Sequence, residues 1–211
     1  MAGESGRDCG WNWTVVASWL VGTTMAYNTV EAVIAIWSGV VADSVALVGF
    51  GFDSVIEASA SGLLLWRLAV ESGGADREVV ERAERRVHYF VGMTFIALAF
   101  YVMAQATWVL LENEPPRESV VGIVLAIVSL IIMPFVAWGK IHASRKIQSP
   151  ALLREAKETL ACSYLSFALL IGLLGNALAG WWWADPVAAM AMVPWLFKEG
   201  VEGLRGEDAC D

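Results

Sequence analysis

The chain has 211 residues, of which 57% are hydrophobic and only 17% are charged, and its mean hydropathy is +0.58. These values exclude an ordinary soluble domain and indicate an integral membrane protein. The net charge of −8, with no patch of basic residues, argues against nucleic acid as a partner, and three scattered cysteines argue against a disulfide framework.

Six hydrophobic segments have about the ~20 residues that a membrane-spanning helix needs. They cover approximately residues 13–37, 44–66, 87–111, 118–139, 150–179 and 186–204. We therefore predict an all-α membrane protein with six transmembrane helices. We expect it to consist of a cytoplasmic N-terminal tail, a six-helix transmembrane domain and a short cytoplasmic C-terminal tail, over residues 1–12, 13–204 and 205–211.

Three short polar motifs predict where helices begin. In Ser149-Pro150 and Asp185-Pro186 a residue with a capping side chain precedes a proline, which suits the first position of a helix. Asp43-Ser44 offers a cap for the second span. We therefore expect spans 2, 5 and 6 to start at these motifs.

The basic residues predict the orientation of the bundle. The connections between spans 2 and 3 and between spans 4 and 5 contain most of the Lys and Arg, namely Arg67, Arg77, Arg82, Arg85, Arg86, Lys140, Arg145, Lys146, Arg154 and Lys157. The alternate loops contain only Arg117. By the positive-inside rule both termini are cytoplasmic. We expect the bacterial inner membrane as the location.

Two carboxylates lie in the apolar second span. Asp53 and Glu57 are four residues apart, so a helix places them on one face. Each ionised carboxylate near a bilayer centre costs roughly 2.5–3.5 kcal/mol on insertion scales, and intramembrane acids therefore indicate a functional site. The alternative is that both are structural acids bonded to Ser and Thr hydroxyls.

The fifth span carries a second pair, Glu158 and Cys162, also four residues apart. Spans 2 and 5 run in opposite directions. At ~1.5 Å per residue, Glu158 is level with Glu57, and Cys162 with Asp53. Three carboxylates and a thiol at one depth predict a site for a divalent cation, and the thiolate favours Zn²⁺ or Cd²⁺. No cofactor beyond the transported ion is expected.

Several of these residues have simpler interpretations, which the sequence leaves open. Glu158 has Arg154 one turn earlier as an ion-pair partner. Cys162 is also a common small apolar residue of helices. Glu155 is an alternative ligand to Glu158. Asn28, Glu31 and Glu155 are candidates for the cavity wall or a proton path, and for Asn28 and Glu31 an interhelical hydrogen bond is the alternative.

Four further residues of ligand type lie near the predicted cytoplasmic side. His88 and His142 are single histidines at helix ends, for which we prefer solvated roles. Cys9 and Cys210 lie in the polar termini, where free thiols are the simpler interpretation. We therefore leave all four out of the predicted metal site.

With these residues identified, the chain resembles the cation diffusion facilitator family of six-helix metal/proton antiporters. The second helix of that family has a Ser-x-Ala-Leu stretch before two ligands four residues apart, and here Ser44-Val-Ala-Leu47 precedes Asp53 and Glu57. In the fifth helix, Ser149-Pro-Ala-Leu152 precedes Glu158 and Cys162, where the family has His and Asp. The start of the sixth helix is similar at Trp183-Ala-Asp-Pro186.

The resemblance is to a short branch that lacks the C-terminal cytoplasmic domain of the family. It implies a homodimer that exports a divalent metal, Zn²⁺ being expected, in exchange for inward-moving protons. An enzyme is not expected, because no nucleophile–base pair or cofactor loop is visible. Two alternatives stay open: a non-transporting membrane protein for metal binding or assembly on the same scaffold, and a metal channel.

Overall fold

The described part of the chain forms six α-helices. The computed structural model describes residues 13–72, 77–112 and 116–205, without the side chains of residues 68, 71, 72, 77–88 and 150. In chain order the helices are α1 (Trp13–Ala42), α2 (Val45–Ser72), α3 (Arg77–Glu112), α4 (Val120–Ile147), α5 (Pro150–Ala179) and α6 (Ala184–Arg205). Within those ranges there is no strand, which confirms the predicted all-α class.

The lengths and compositions of the helices confirm an integral membrane protein. Among the described residues five helices, α1 to α5, contain stretches long and apolar enough to cross a bilayer. The sixth, α6, has 22 residues and packs against α3 and α5 in the same bundle. It is less apolar because charged side chains occupy its second half, at Lys198, Glu199, Glu202 and Arg205.

Two helices extend well beyond the predicted spans. α4 continues to Ile147 rather than ending at residue 139, and α3 begins at Arg77 rather than at residue 87. The hydropathy pattern marks only the apolar part of a helix, whereas the backbone hydrogen bonds continue through the polar turns beyond it. Lys140 was therefore wrongly assigned to a connection: it lies within α4 and is fully buried.

Two of the predicted helix caps are present. The Ser149 hydroxyl accepts a hydrogen bond from the backbone N–H of Leu152 at 3.3 Å, and α5 begins at Pro150. The Ser44 hydroxyl accepts from the N–H of Leu47 at 3.1 Å. In both motifs the serine therefore satisfies a backbone donor of the first helical turn.

The prediction that Asp185 caps α6 is wrong, because α6 begins one residue earlier. The Asp185 carboxylate instead accepts hydrogen bonds from the Ser44 hydroxyl at 2.5 Å and from the backbone N–H of Ala46 at 3.4 Å. Both partners are at the start of α2. One buried carboxylate thus joins the first turns of α2 and α6.

The helices form a ring of four and a pair. α1 packs on α2 and α4, and α5 packs on α4 and α2, which closes the ring. α3 and α6 pack closely on each other, and both contact α2. The apolar core between the ring and the pair includes fully or nearly fully buried side chains of Phe50, Val102, Leu165, Leu169 and Met192.

The contact between α3 and α6 depends on glycine. A Cβ atom at Gly92 would lie 2.8 Å from the carbonyl oxygen of Gly200 and 2.9 Å from the carbonyl carbon of Gly203. Both neighbours are backbone atoms, which cannot turn away as a side chain can. Small residues allow helix backbones to approach in this way within membranes.

We expect Gly92→Ala to lower the free energy of unfolding by about 1–3 kcal/mol, the usual cost of overpacking a tight contact. The matched control is Gly139→Ala in α4, whose Cβ would meet only methyl groups of Leu20 at 3.6 Å. Alanine is the better helix former by ~1 kcal/mol, so the control variant should be no less stable than the wild type. Unfolding of both variants in detergent measures the difference, and equal stability would contradict the backbone contact.

Candidate metal centre

Three buried side chains come together between α2 and α5. One carboxylate oxygen each of Asp53 and Glu57 and the sulfur of Cys162 all lie within 4.8 Å of one another. The side chains are 6%, 5% and 1% exposed. The spacing of four residues on α2 sets the first two on one helical face, and the antiparallel α5 brings the third to the same depth.

Glu57 differs from an ordinary structural acid. Both of its carboxylate oxygens are buried, and neither has a hydrogen-bond partner among the described residues. The Thr159 hydroxyl and the Cys162 thiol both lie near this carboxylate, but the Thr159 hydroxyl donates its hydrogen to the backbone oxygen of Glu155 at 3.0 Å. A buried carboxylate without donors is costly, and a cation between these three side chains would supply the missing interaction.

The three side chains face a small cavity that reaches four helices. Its volume is about 20 Å³, enough for one water molecule. Beside the three-residue group, its wall includes Val91 and Phe95 of α3, Glu158 of α5, and Trp195 and Glu199 of α6. A bare metal ion is smaller than water, so the cavity has room for one ion among the candidate ligands.

Glu158 lies at the cavity but outside the three-residue group. Its carboxylate is 3.4 Å from the Nε atom of Arg154, one turn earlier on α5, and the two side chains are 23% and 27% exposed. The ion pair considered from the sequence is therefore present. The same carboxylate also lines the cavity, so the pair holds it next to the candidate ligands.

Glu155 has a fixed partner of its own. Its Oε1 atom accepts hydrogen bonds from the Lys140 ammonium at 2.9 Å and from the Ser61 hydroxyl at 2.6 Å. Lys140 also donates to the Thr159 hydroxyl at 3.0 Å. This buried ion pair joins α4 to α5, and Glu155 is not part of the cavity wall. Of the two alternative ligands, the arrangement favours Glu158.

Glu31 and Asn28 of α1 are both buried away from the cavity wall. Glu31 accepts hydrogen bonds from the hydroxyls of Tyr27 at 3.1 Å, of Ser54 at 3.0 Å and of Ser129. The interhelical hydrogen bond is therefore present for Glu31, which links α1, α2 and α4. Neither amide atom of Asn28 has a partner among the described residues. A role of either residue in a proton path stays a prediction.

Of the four residues left out of the predicted site, His142 alone has a described side chain. It is exposed and packs against the rings of Trp13 and Trp138, with centroid distances of 5.3 and 6.3 Å. Cys9 and Cys210, and the side chain of His88, lie outside the described residues.

Two residues near the site were missed by the sequence analysis. Lys140 was counted only as a basic residue of a connection, although it neutralises Glu155 inside the bundle. Glu199 was overlooked because it lies among the charges at the end of α6. The sequence contained one indication of its position: Trp195 and Glu199 are four residues apart, so a helix places them on one face. In the structure both side chains line the cavity.

Comparisons with known proteins match most of the chain to one family of membrane domains. A family model of the cation efflux transmembrane domain matches residues 23–205, a segment that contains every residue of the candidate site. An uncharacterized transporter of Synechocystis sp. is 23% identical in an alignment over 175 residues, which covers 78% of this chain and 56% of that protein. The matched segment is thus just over half of the length of that relative.

The ion pair of Lys140 and Glu155 allows a test of how buried charge affects the stability of the bundle near the site. We expect Lys140→Met to destabilise the protein by about 3–5 kcal/mol, because it leaves the Glu155 carboxylate buried without its cation. The double variant Lys140→Met/Glu155→Met replaces both charges by apolar side chains and should be close to the wild type in stability, or above it. Thermal unfolding in detergent measures both. If the single and double variants lost the same free energy of unfolding, the uncompensated charge of Glu155 would not be the cause.

Proposed function

The chain belongs to the cation efflux family, the cation diffusion facilitators, and from this premise we propose that it transports a divalent metal ion through the site of Asp53, Glu57 and Cys162. The observation that carries the proposal is the approach of three ligand atoms to within 4.8 Å of one another inside a bundle of membrane-crossing helices. The unpartnered oxygens of Glu57 support it.

The proposed ion is Zn²⁺, with Cd²⁺ as a second substrate. Zn²⁺ takes four N, S or O ligands in a tetrahedron, and a thiolate among the ligands disfavours Mg²⁺ and Ca²⁺. Asp53, Glu57 and Cys162 supply three ligands. Glu158 is the proposed fourth, because it lines the same cavity and needs only to leave Arg154 to reach the ion.

Proton exchange follows from the ligand types. Carboxylates and thiols bind a metal in their deprotonated forms, so loading of the ion releases protons from the site. Protons that bind on the other side of the membrane would in turn displace the metal. The site would then return across the apolar interior with reduced charge, which lowers the cost of that step.

The surroundings of the site support loading from one end. Toward the start of α2 and the end of α5 the space is filled by buried apolar side chains, including Phe50, Leu165 and Leu169. Toward the other end, which the basic residues predict to be cytoplasmic, Glu158 and Glu199 are partly exposed. We propose that this is the cytoplasm-facing state, and that release requires α2 and α5 to move against the apolar side.

The homodimer, the bacterial inner membrane and the direction of transport stay predictions. They rest on the resemblance to the family and on the distribution of Lys and Arg.

Removal of either α2 carboxylate should stop transport. For Asp53→Asn and Glu57→Gln we expect Zn²⁺ binding to weaken at least ~10–100-fold, the loss typical even of an outer-shell partner. Uptake into proteoliposomes driven by a pH gradient should disappear. Asp43→Asn is the control, since Asp43 is an exposed acid of the α1–α2 turn, 3.8 Å from Arg117.

Three outcomes would contradict parts of this proposal. Zn²⁺ flux that ignores the pH gradient would indicate a channel. Binding without flux in the wild type would indicate a metal-binding or assembly protein on the same scaffold. Asp53→Asn and Glu57→Gln variants that bind Zn²⁺ like Asp43→Asn would place the metal elsewhere.

Replacement of the thiol should change the preference among ions. We expect Cys162→Ser to weaken Cd²⁺ binding more than Mn²⁺ binding, because softer ions gain more from sulfur. Ser163→Ala is the control: Ser163 is the next residue, and its buried hydroxyl has no partner among the described residues. Competition titrations of the two ions measure the ratio, and an unchanged ratio in Cys162→Ser would remove the thiolate from the ligand set.

A further inference from the structure

Glu199 is the one carboxylate that α6 contributes to the cavity wall, and the proposed four-ligand site does not use it. It lies beside Gly200, where a Cβ atom would be 3.1 Å from the carbonyl oxygen of Gly92 on α3. This close backbone contact fixes α6 against α3 next to Glu199. Trp195, one turn earlier, lines the cavity as well, so this face of α6 is directed at the site.

Glu199 lies nearer to the end of the bundle than the three-residue group does. It is six residues before the last residue of α6, and Glu158 is eight residues after the first residue of α5. At ~1.5 Å per residue these distances are about 9 and 12 Å, whereas Cys162 is about 18 Å from the start of α5. The two partly exposed carboxylates thus form the mouth of the cavity. The nearly fully buried Asp53, Glu57 and Cys162 form its inner part, with Glu57 at about the depth of Glu158 and the other two deeper.

The charges at this mouth give Glu199 a specific effect. Arg154 contributes one positive charge and Glu158 one negative charge, and the two are paired at 3.4 Å. Lys198 and Glu202 also lie near Glu199 and form a second pair at 3.5 Å. Because the charges of both pairs cancel, Glu199 leaves this end of the cavity with one negative charge in excess, which raises the local concentration of cations. Carboxylate oxygens there can also replace part of the water shell of an entering ion.

The unpartnered carboxylate of Glu57 is a second, independent observation that points to a cation in this cavity. Glu57 also lines the cavity, is only 5% exposed, and has two oxygens without a hydrogen-bond partner among the described residues. An ion bound by the carboxylates of the mouth therefore lies next to a second site, the three-residue group, which offers it three ligands. The two carboxylates of the mouth are the first groups that it meets.

Resting on the function proposed above, we propose that Glu199 is a further metal-binding residue, which receives the divalent ion together with Glu158 and passes it to Asp53, Glu57 and Cys162. The inner group belongs to α2 and α5 of the ring, whereas Glu199 belongs to the α3–α6 pair. The ion is therefore held across the boundary between these two units while it enters, and only in the state open at this end.

The test is Zn²⁺ uptake by the full chain in proteoliposomes under a pH gradient, measured over a range of Zn²⁺ concentrations. For Glu199→Gln we expect KM to rise about tenfold, with the maximal rate retained, because the inner site is intact. The control is Glu202→Gln, three residues further along α6, whose exposed carboxylate is 3.5 Å from Lys198. It removes one negative charge from the same end of the bundle without changing the cavity wall, so its KM should rise much less than that of Glu199→Gln. Glu199→Asp keeps the charge on a shorter side chain and should give an intermediate KM.

The outcomes separate this proposal from the proposed function. Glu199→Gln with the KM of Glu202→Gln, while Asp53→Asn abolishes uptake, would overturn the role of Glu199 and leave the inner site standing. Uptake that survives Asp53→Asn would overturn the proposed function instead. If Glu199→Gln does not fold, as judged by thermal unfolding, the comparison passes to Glu199→Asp and Glu202→Asp. An unchanged KM in Glu199→Asp would then overturn the proposal.

Discussion

Burial of negative charge in an apolar bundle is the constraint on which the rest of the structure depends. Three buried acids are held by fixed groups of the protein: Glu155 by the Lys140 ammonium, Glu31 by three hydroxyls, and Asp185 by a hydroxyl and a backbone N–H. Glu57 is buried to a similar extent, yet neither of its oxygens has a hydrogen-bond partner in the described part of the chain. Glu155 has one unpartnered oxygen as well, Oε2, but its Oε1 atom is held by Lys140 and Ser61. Because buried polar groups are ordinarily satisfied, the two unpartnered oxygens of Glu57 support its proposed role at a cation site.

The helix arrangement places Glu57 at the boundary between the ring and the α3–α6 pair. The ring of α1, α2, α4 and α5 carries the three-residue group, and the α3–α6 pair closes the cavity from the other side. Among the described residues, ion pairs and hydrogen bonds join the helices of the ring to one another, as at Lys140–Glu155 and Glu31–Ser54. The pair is held instead by glycine backbone contacts at Gly92 and Gly200. Each unit thus has its own internal cohesion, and the cavity lies between them.

The sequence predicted the depth of the site because helical rise is regular: counting from the ends of two antiparallel spans was enough to bring Cys162 level with Asp53. It also predicted the cap at Ser149, since capping depends on neighbouring residues alone. Counting along spans could not find the burial of Lys140 or the bond between Asp185 and Ser44. The spacing of four residues between Trp195 and Glu199 places both on one face of α6, but it does not show that this face lines the cavity. Each depends on which helix faces which, and the hydropathy pattern ends where charged residues begin, even when those charges are inside the bundle. For Glu158, the distance of its carboxylate from the three-residue group depends on side-chain rotamers, which no spacing determines.

The carboxylate of Asp185 has a consequence for the motions of the bundle. It bonds the first turn of α2 while itself belonging to the first turn of α6, so these two helices share one anchor at that end. At the far end they are separated by the cavity and its partly exposed acids. Two rods joined at one end fluctuate most at the other. The amplitude of thermal motion between α2 and α6 should therefore increase along their length, from the rigid end at Ser44 to the end where an ion would enter.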